Sequence, residues 1–108
     1  MRSCEILFNG ISAGLLVEEG IGKYVFTYHS DYLKASGSKP VSLIMPLREE
    51  PFYSDYLFSP FANMLSEGSN RKMQSQLLHI DEDDDFGILL ATCQFDTIGA
   101  ITVKPIIQ

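Results

Sequence analysis

The chain has 108 residues, 45% of them hydrophobic and 20% charged, the usage of a protein that folds around one core and too short for two independent ones, so a single domain spanning 1–108 is expected. Eight basic against fourteen acidic side chains leave a net charge of −6, which opposes unaided binding to a phosphate backbone and favours a basic protein surface as partner. The amino terminus, MRSCEILFNG, reaches Glu5 and Asn9-Gly10 before a signal-peptide core can form, and no stretch approaches the ~18 to 20 apolar residues of a membrane span, so a cytoplasmic protein without membrane contact is expected.

Cys4 to Phe8, the pair Asn9-Gly10 and the run Ile11 to Val17 predict a hairpin, because Asn-Gly tolerates the positive φ of a type I′ turn. Glu18 to Gly22 follow as a turn, and Lys23 to Tyr28 alternate with Tyr24, Phe26 and Tyr28 on one face, expected to point inward. Ser30 is placed to cap a short helical turn through Lys34, which Gly37 and Ser38 end as a loop. The segment KPVSLIMPL, Lys39 to Leu47, then predicts a short strand limited by Pro40 and Pro46, with Val41, Leu43 and Met45 on its apolar face.

Arg48 to Asp55 predict a surface loop carrying Phe52 and Tyr53. Phe58, Phe61, Met64 and Leu65 are spaced for one helical face behind Ser59-Pro60, and Ser66-Glu67-Gly68 end that helix. Ser69 is placed to cap a second helix with Met73, Leu77 and Leu78 toward the core. A third helix starts near Asp85 with Phe86, Leu89, Leu90 and Cys93 at helical spacing, and Gly99 to Val103 form a closing strand. Strands, then helices, then a last strand predict an α+β fold, a small antiparallel sheet or open β-barrel covered by short helices.

Chemistry-bearing patterns are few. Asp81, Asp83 and Asp85 alternate as calcium ligands do, but Phe86 stands where an EF-hand loop needs glycine and Thr92 where it needs the closing glutamate; a helix start and a charged surface are expected instead. His29 and His79 are the only imidazoles, and nothing in the sequence sets either beside a nucleophile and a carboxylate. Gly20-Ile21-Gly22 lacks the third glycine and the βαβ context of a dinucleotide fingerprint. Cys4 and Cys93 lie in apolar runs without CxxC spacing and are expected as reduced thiols. No catalytic, metal or cofactor site is expected. The aromatic loop Phe52-Tyr53-Ser54-Asp55-Tyr56 lacks the basic groove of a base-stacking platform, and both core packing and a protein interface accommodate it.

The succession FNGISAGLL, KYVFTY, PVSLIMPL, FANMLSEGSNR, DFGILLA and DTIGAITVKP resembles the amino-terminal subdomain of HipA-type serine/threonine kinase toxins over almost the whole chain. Asn9, Gly10, Ala13, Gly14 and Leu16 match its opening hairpin. Pro40, Ser42, Leu43, Pro46 and Leu47 match its Pro-Leu-Ser-Leu-Ser-Leu-Pro-Leu, with Val41, Ile44 and Met45 substituted. Phe61, Asn63, Leu65, Glu67, Gly68 and Arg71 follow its next helix, with Ser66 in place of a proline and Met64 of a leucine. Asp96, Gly99 and Ala100 remain from its Leu-Gly-x-Asp-x-x-Gly-Ala.

In those toxins a much larger kinase core follows, with the phosphate loop, catalytic Asp and metal ligands, and nothing of that kind follows Gln108, so the resemblance implies no phosphotransfer by this chain itself. A separate copy of the subdomain looks like HipS, the small component of tripartite HipBST-type toxin-antitoxin systems, in which the kinase lacks the subdomain and a helix-turn-helix protein binds DNA. The resemblance implies an antitoxin acting on the kinase. An activating or structural subunit of the kinase and an unrelated small hydrolase or ligand-binding protein are the alternatives. Exposed interface candidates are Gly20, Ile21 and Gly22, then Phe52, Tyr53 and Tyr56, then Asp81, Asp83 and Asp85. Asn9, Gly10, Gly14, Pro40, Ser42, Pro46, Leu47, Asn63, Asp96 and Gly99 are expected to maintain the fold.

Overall fold

In a computed structural model, five antiparallel strands form an open sheet in the order β4-β3-β2-β1-β5. The structure describes residues 2–20, 22–35, 37–63, 65, 68–81, 83–92 and 101–106. Expectations for Ile21, Met64, Ser66, Glu67, Cys93, Asp96, Gly99 and Ala100 lie outside these. β1 (Arg2–Phe8) and β2 (Ile11–Gly20) make the predicted hairpin, closing on the pair Phe8 and Ile11. Asn9 and Gly10 both take positive φ, 52° and 79°, the geometry a type I′ turn demands.

A bulge in β2 at Ala13 shifts the register between Ile6 and Leu7, and the Ala13 carbonyl accepts the His29 amide at 2.9 Å. β3 (Lys23–Tyr28) pairs with β2 and turns Phe26 and Tyr28 into the core, with Tyr24 packed at its border. β4 (Phe52–Ser54) closes one edge against β3, and β5 (Ile101–Pro105) the other against β1. The fold matches the expected α+β arrangement.

One face of the sheet is covered by α2 (Ser59–Ala62), α4 (Asp85–Thr92) and the segment around Val41 and Met45. Its centre is aromatic: the Phe26 ring meets Tyr28 edge-on at 4.9 Å and lies 5.7 Å from Phe61 and 6.3 Å from Phe52, spacings at which aromatic pairs add to simple burial. Phe86, Ile88 and Leu89 of α4 are fully buried, as a helix that is apolar on most sides must be. Cys4 is buried in β1.

Several sequence expectations are corrected. Helix α1 (Ser30–Lys34) begins at Ser30, with His29 at the cap position and no side-chain cap bond, and α2 likewise has Phe58 at the cap; neither serine caps. α2 ends at Ala62, earlier than predicted. In α3 (Gly68–Leu78), Met73, Leu77 and Leu78 face solvent rather than the core, because the helix packs chiefly against α4. The strand predicted for KPVSLIMPL is a turn.

Candidate partner-docking surface

The turn arises from its own residues. Ser42 is a favoured first residue of a β-turn: its carbonyl accepts the Met45 amide at 3.1 Å, and its Oγ the Ile44 amide at 3.4 Å. Val41 and Met45 are buried on either side, which leaves Leu43 and Ile44 facing outward at the tip. Leu43 is 98% exposed and Ile44 61%.

Two tyrosines hold the legs. Val41 N–H donates to the Tyr28 hydroxyl at 3.0 Å, and that hydroxyl donates to the Met45 carbonyl at 2.5 Å. The Tyr32 hydroxyl donates to the Lys39 carbonyl at 2.6 Å, and the two rings stack 6.0 Å apart. Burial pushes the Tyr28 hydroxyl's pKa up, since the phenolate would lose its hydration. Pro40 and Pro46 flank the turn and Leu47 packs against the core, so these motif residues border the turn rather than limit a strand.

From Ile44 a groove runs past Met45, Phe52, Tyr56, Leu57 and Phe58. Of the three aromatic interface candidates, Phe52 is a core residue, a correction, whereas Tyr53 and Tyr56 are 73% and 81% exposed. The Arg48 guanidinium lies 3.8 Å over the Phe52 ring and donates to the Glu50 and Pro51 carbonyls.

The other candidates lie on separate turns. Gly20 ends β2 and Gly22, at φ 71°, lies against the Asp55 carbonyl, so the β2–β3 turn borders the loop after β4. Asp81 and Asp83 are exposed, with the Asp83 amide on the Asp81 carboxylate at 2.9 Å, and Asp85 opens α4. Among the described residues no three His, Cys, Asp or Glu side chains converge as metal ligands, and no helix is long and apolar enough to cross a membrane. Asn63 sits exposed at the C-terminal end of α2, its amide on the Ser59 carbonyl at 2.9 Å.

Two polar clusters have no counterpart in any sequence pattern. Arg2 donates to Glu18 at 2.6 and 2.8 Å and makes a two-pronged bond to Asp84 at 2.8 and 2.9 Å, with its guanidinium 5.3 Å from the Phe86 ring centre. Asp84 also caps α4, accepting the Gly87 amide at 3.1 Å, and a side chain on Gly87 would overlap its carboxylate. Hydrogen bonding from Arg2 holds the Asp84 carboxyl below its ordinary pKa of 3.8. The pair therefore adds stability above pH ~4 that is lost as pH falls through the lowered value.

Asp84→Asn keeps a capping acceptor and removes the charge, so it should cost about 1 kcal/mol at pH 7 for this partly exposed pair. Urea titrations at pH 7 and pH 2.5 check this: the deficit should shrink at the lower pH. Elsewhere Glu5 accepts both the Ser12 hydroxyl and, at 2.6 Å, His29 Nε2. Serine and imidazole thus both meet the carboxylate instead of each other, which is not the order a nucleophile and its base require.

This sheet, hairpin and clasped turn can be placed among known proteins. The family model for the HipA N-terminal domain matches residues 4–104. The chain belongs to that family. A solved structure, the N-terminal domain of HipA toxin, superposes with a TM-score of 0.71 at 29% identity, covering 100% of this chain and 95% of that one. An uncharacterized protein of Haemophilus influenzae is 34% identical over 104 residues, 96% of this chain and 92% of that protein. The putative kinase Y4mE of Sinorhizobium fredii is 28% identical over 105 residues, 97% of this chain but 25% of the kinase, so the chain spans a quarter of that relative's length.

Proposed function

We propose that this chain is a cytoplasmic, non-catalytic antitoxin that binds a HipA-type serine/threonine kinase in trans and holds it in an unproductive state. The observation that carries this is the family's occurrence on two scales: a segment equivalent to this chain makes up a quarter of a putative kinase, and 92% of a protein scarcely longer than the match. A domain whose surface fits a kinase body within one chain keeps that complementarity when supplied on a separate chain. Inhibition then requires no reaction and no cofactor, only tighter binding to one kinase state than to another. The negative charge disfavours direct DNA contact, which is assigned to a helix-turn-helix protein in the same complex.

Growth of cells expressing the cognate kinase alone and together with this chain tests the proposal. Co-expression should restore growth, and unchanged toxicity would overturn it. Deeper growth arrest would instead support an activating subunit, the arrangement that the joined domain in the Sinorhizobium relative favours.

A further inference from the structure

An exposed leucine on a surface needs no explanation of its own; one fixed in place at the end of a clasped turn does. Leu43 and Ile44 cannot fold back onto the core without breaking the bonds from Tyr28 and Tyr32 to both legs of the turn. The backbone that carries them is therefore ordered before a partner arrives, which lowers the ordering cost of binding. Ile44 also leads into the groove that reaches Tyr56, so the apolar surface extends beyond the tip.

The net charge around the groove is negative, because Arg48, the charged residue that lines it, is outnumbered by nearby carboxylates. Arg48 is occupied by the Phe52 ring and two carbonyls. The carboxylates of its sequence neighbours Glu49 and Glu50, and that of Asp55 beside Tyr56, are exposed and enter no ion pair among the described residues. A partner that covers the tip must therefore offer an apolar pocket bordered by Lys or Arg. Helix α3 has the opposite character: it exposes Met73, Leu77 and Leu78, contains Arg71 and Lys72, and has no acidic residue.

We propose that the Leu43–Ile44 tip is the anchor by which the domain grips the kinase, seated in an apolar pocket with a basic rim on the kinase body. The inference rests on the antitoxin reading above. The kinase is the occupant because the same domain, in the Sinorhizobium relative, shares its chain with the remaining three quarters of a putative kinase, against which an apolar tip has something to close.

The experiment uses the full chain and the cognate kinase of the co-expression assay, with affinity measured by titration calorimetry. Leu43→Asp combined with Ile44→Asp should weaken binding at least about thirtyfold, the size of an interface hot spot, and should leave the melting temperature unchanged because the tip lies outside the core. Glu49→Lys with Glu50→Lys should slow association. Met73→Lys with Leu77→Lys on α3 should leave affinity within about threefold. Binding of the tip variant at wild-type strength, or loss of binding confined to the α3 variant, would overturn the assignment. Failure of the wild-type chain to bind the kinase would instead defeat the antitoxin reading on which it rests.

Discussion

Gly14→Ala should lower the stability of the domain by about 3 kcal/mol, the upper part of the range for overpacking a closed core. The cause is steric. A Cβ at Gly14 would stand 2.6 Å from the Thr27 carbonyl oxygen and 2.7 Å from Cζ of Phe26. The first of these is backbone in the neighbouring strand, held by the pairing of Leu15 with Thr27 and of Gly14 with Tyr28, so it cannot give way without opening the sheet. The second is the ring at the centre of the aromatic cluster, in contact with Tyr28, Phe52 and Phe61. Any rotation that relieves the clash disturbs all three.

The same substitution elsewhere separates this from a general cost of losing glycine. A Cβ at Gly20 meets nothing within 4 Å and no positive φ is recorded there, so Gly20→Ala should be neutral or stabilise by up to ~1 kcal/mol through the unfolded chain. Gly10, at φ 79° with open space around it, should lose about 1 kcal/mol from backbone strain alone. Chemical denaturation of the three variants should rank them Gly20, Gly10, Gly14 in order of increasing damage. A Gly14→Ala protein as stable as wild type would mean that β2 and β3 are not packed as described.

The positions where the sequence was informative share a local cause. Asn9-Gly10 fixes a turn by its own backbone preferences, and the alternation of Tyr24, Phe26 and Tyr28 assigns a strand face without reference to the rest of the chain. The failures are places where a distant partner decides. Alternation of Val41, Leu43 and Met45 suits a strand as well as it suits a turn that buries its first and last residues; the Tyr28 hydroxyl, reaching both legs from β3, selects the turn. Helical spacing of Met73 and Leu77 shows that α3 has an apolar side but not what covers it, and in this chain that side is open. Arg2 and Asp84 meet across 82 positions, and only the folded sheet brings the start of β1 to the start of α4. Phe52 went to the core and Tyr53 to the surface because β4 is a strand, so adjacent aromatics take opposite faces.

The hydroxyl that selects the turn can be removed without changing the shape of the core. Tyr28→Phe keeps the ring against Phe26 and the stack on Tyr32, but it deprives the Val41 amide of its acceptor and the Met45 carbonyl of its donor. Both residues are buried, and each polar group stranded away from water costs about 1 to 3 kcal/mol, so a loss of about 3 kcal/mol is expected in place of the small effect of an exposed Tyr→Phe change. The damage should centre on the turn. Hydrogen exchange at the Met45 amide, which closes the turn onto Ser42, should accelerate more than exchange at the paired amides of β1 and β2. A second signature lies in alkali. Because burial raises the pKa of Tyr28, and burial with the Glu18 charge that of Tyr24, above the ordinary 10.0, the unfolded chain sheds these protons first. Their contribution is complete below pH ~10 and declines as pH rises toward the folded values. Tyr28→Phe should therefore flatten the fall in stability above pH 10. If Tyr28→Phe left stability, exchange at the turn and the alkaline slope all unchanged, Leu43 and Ile44 would not be held by a clasp, and the rigidity that suits them to anchor a partner would have no physical source.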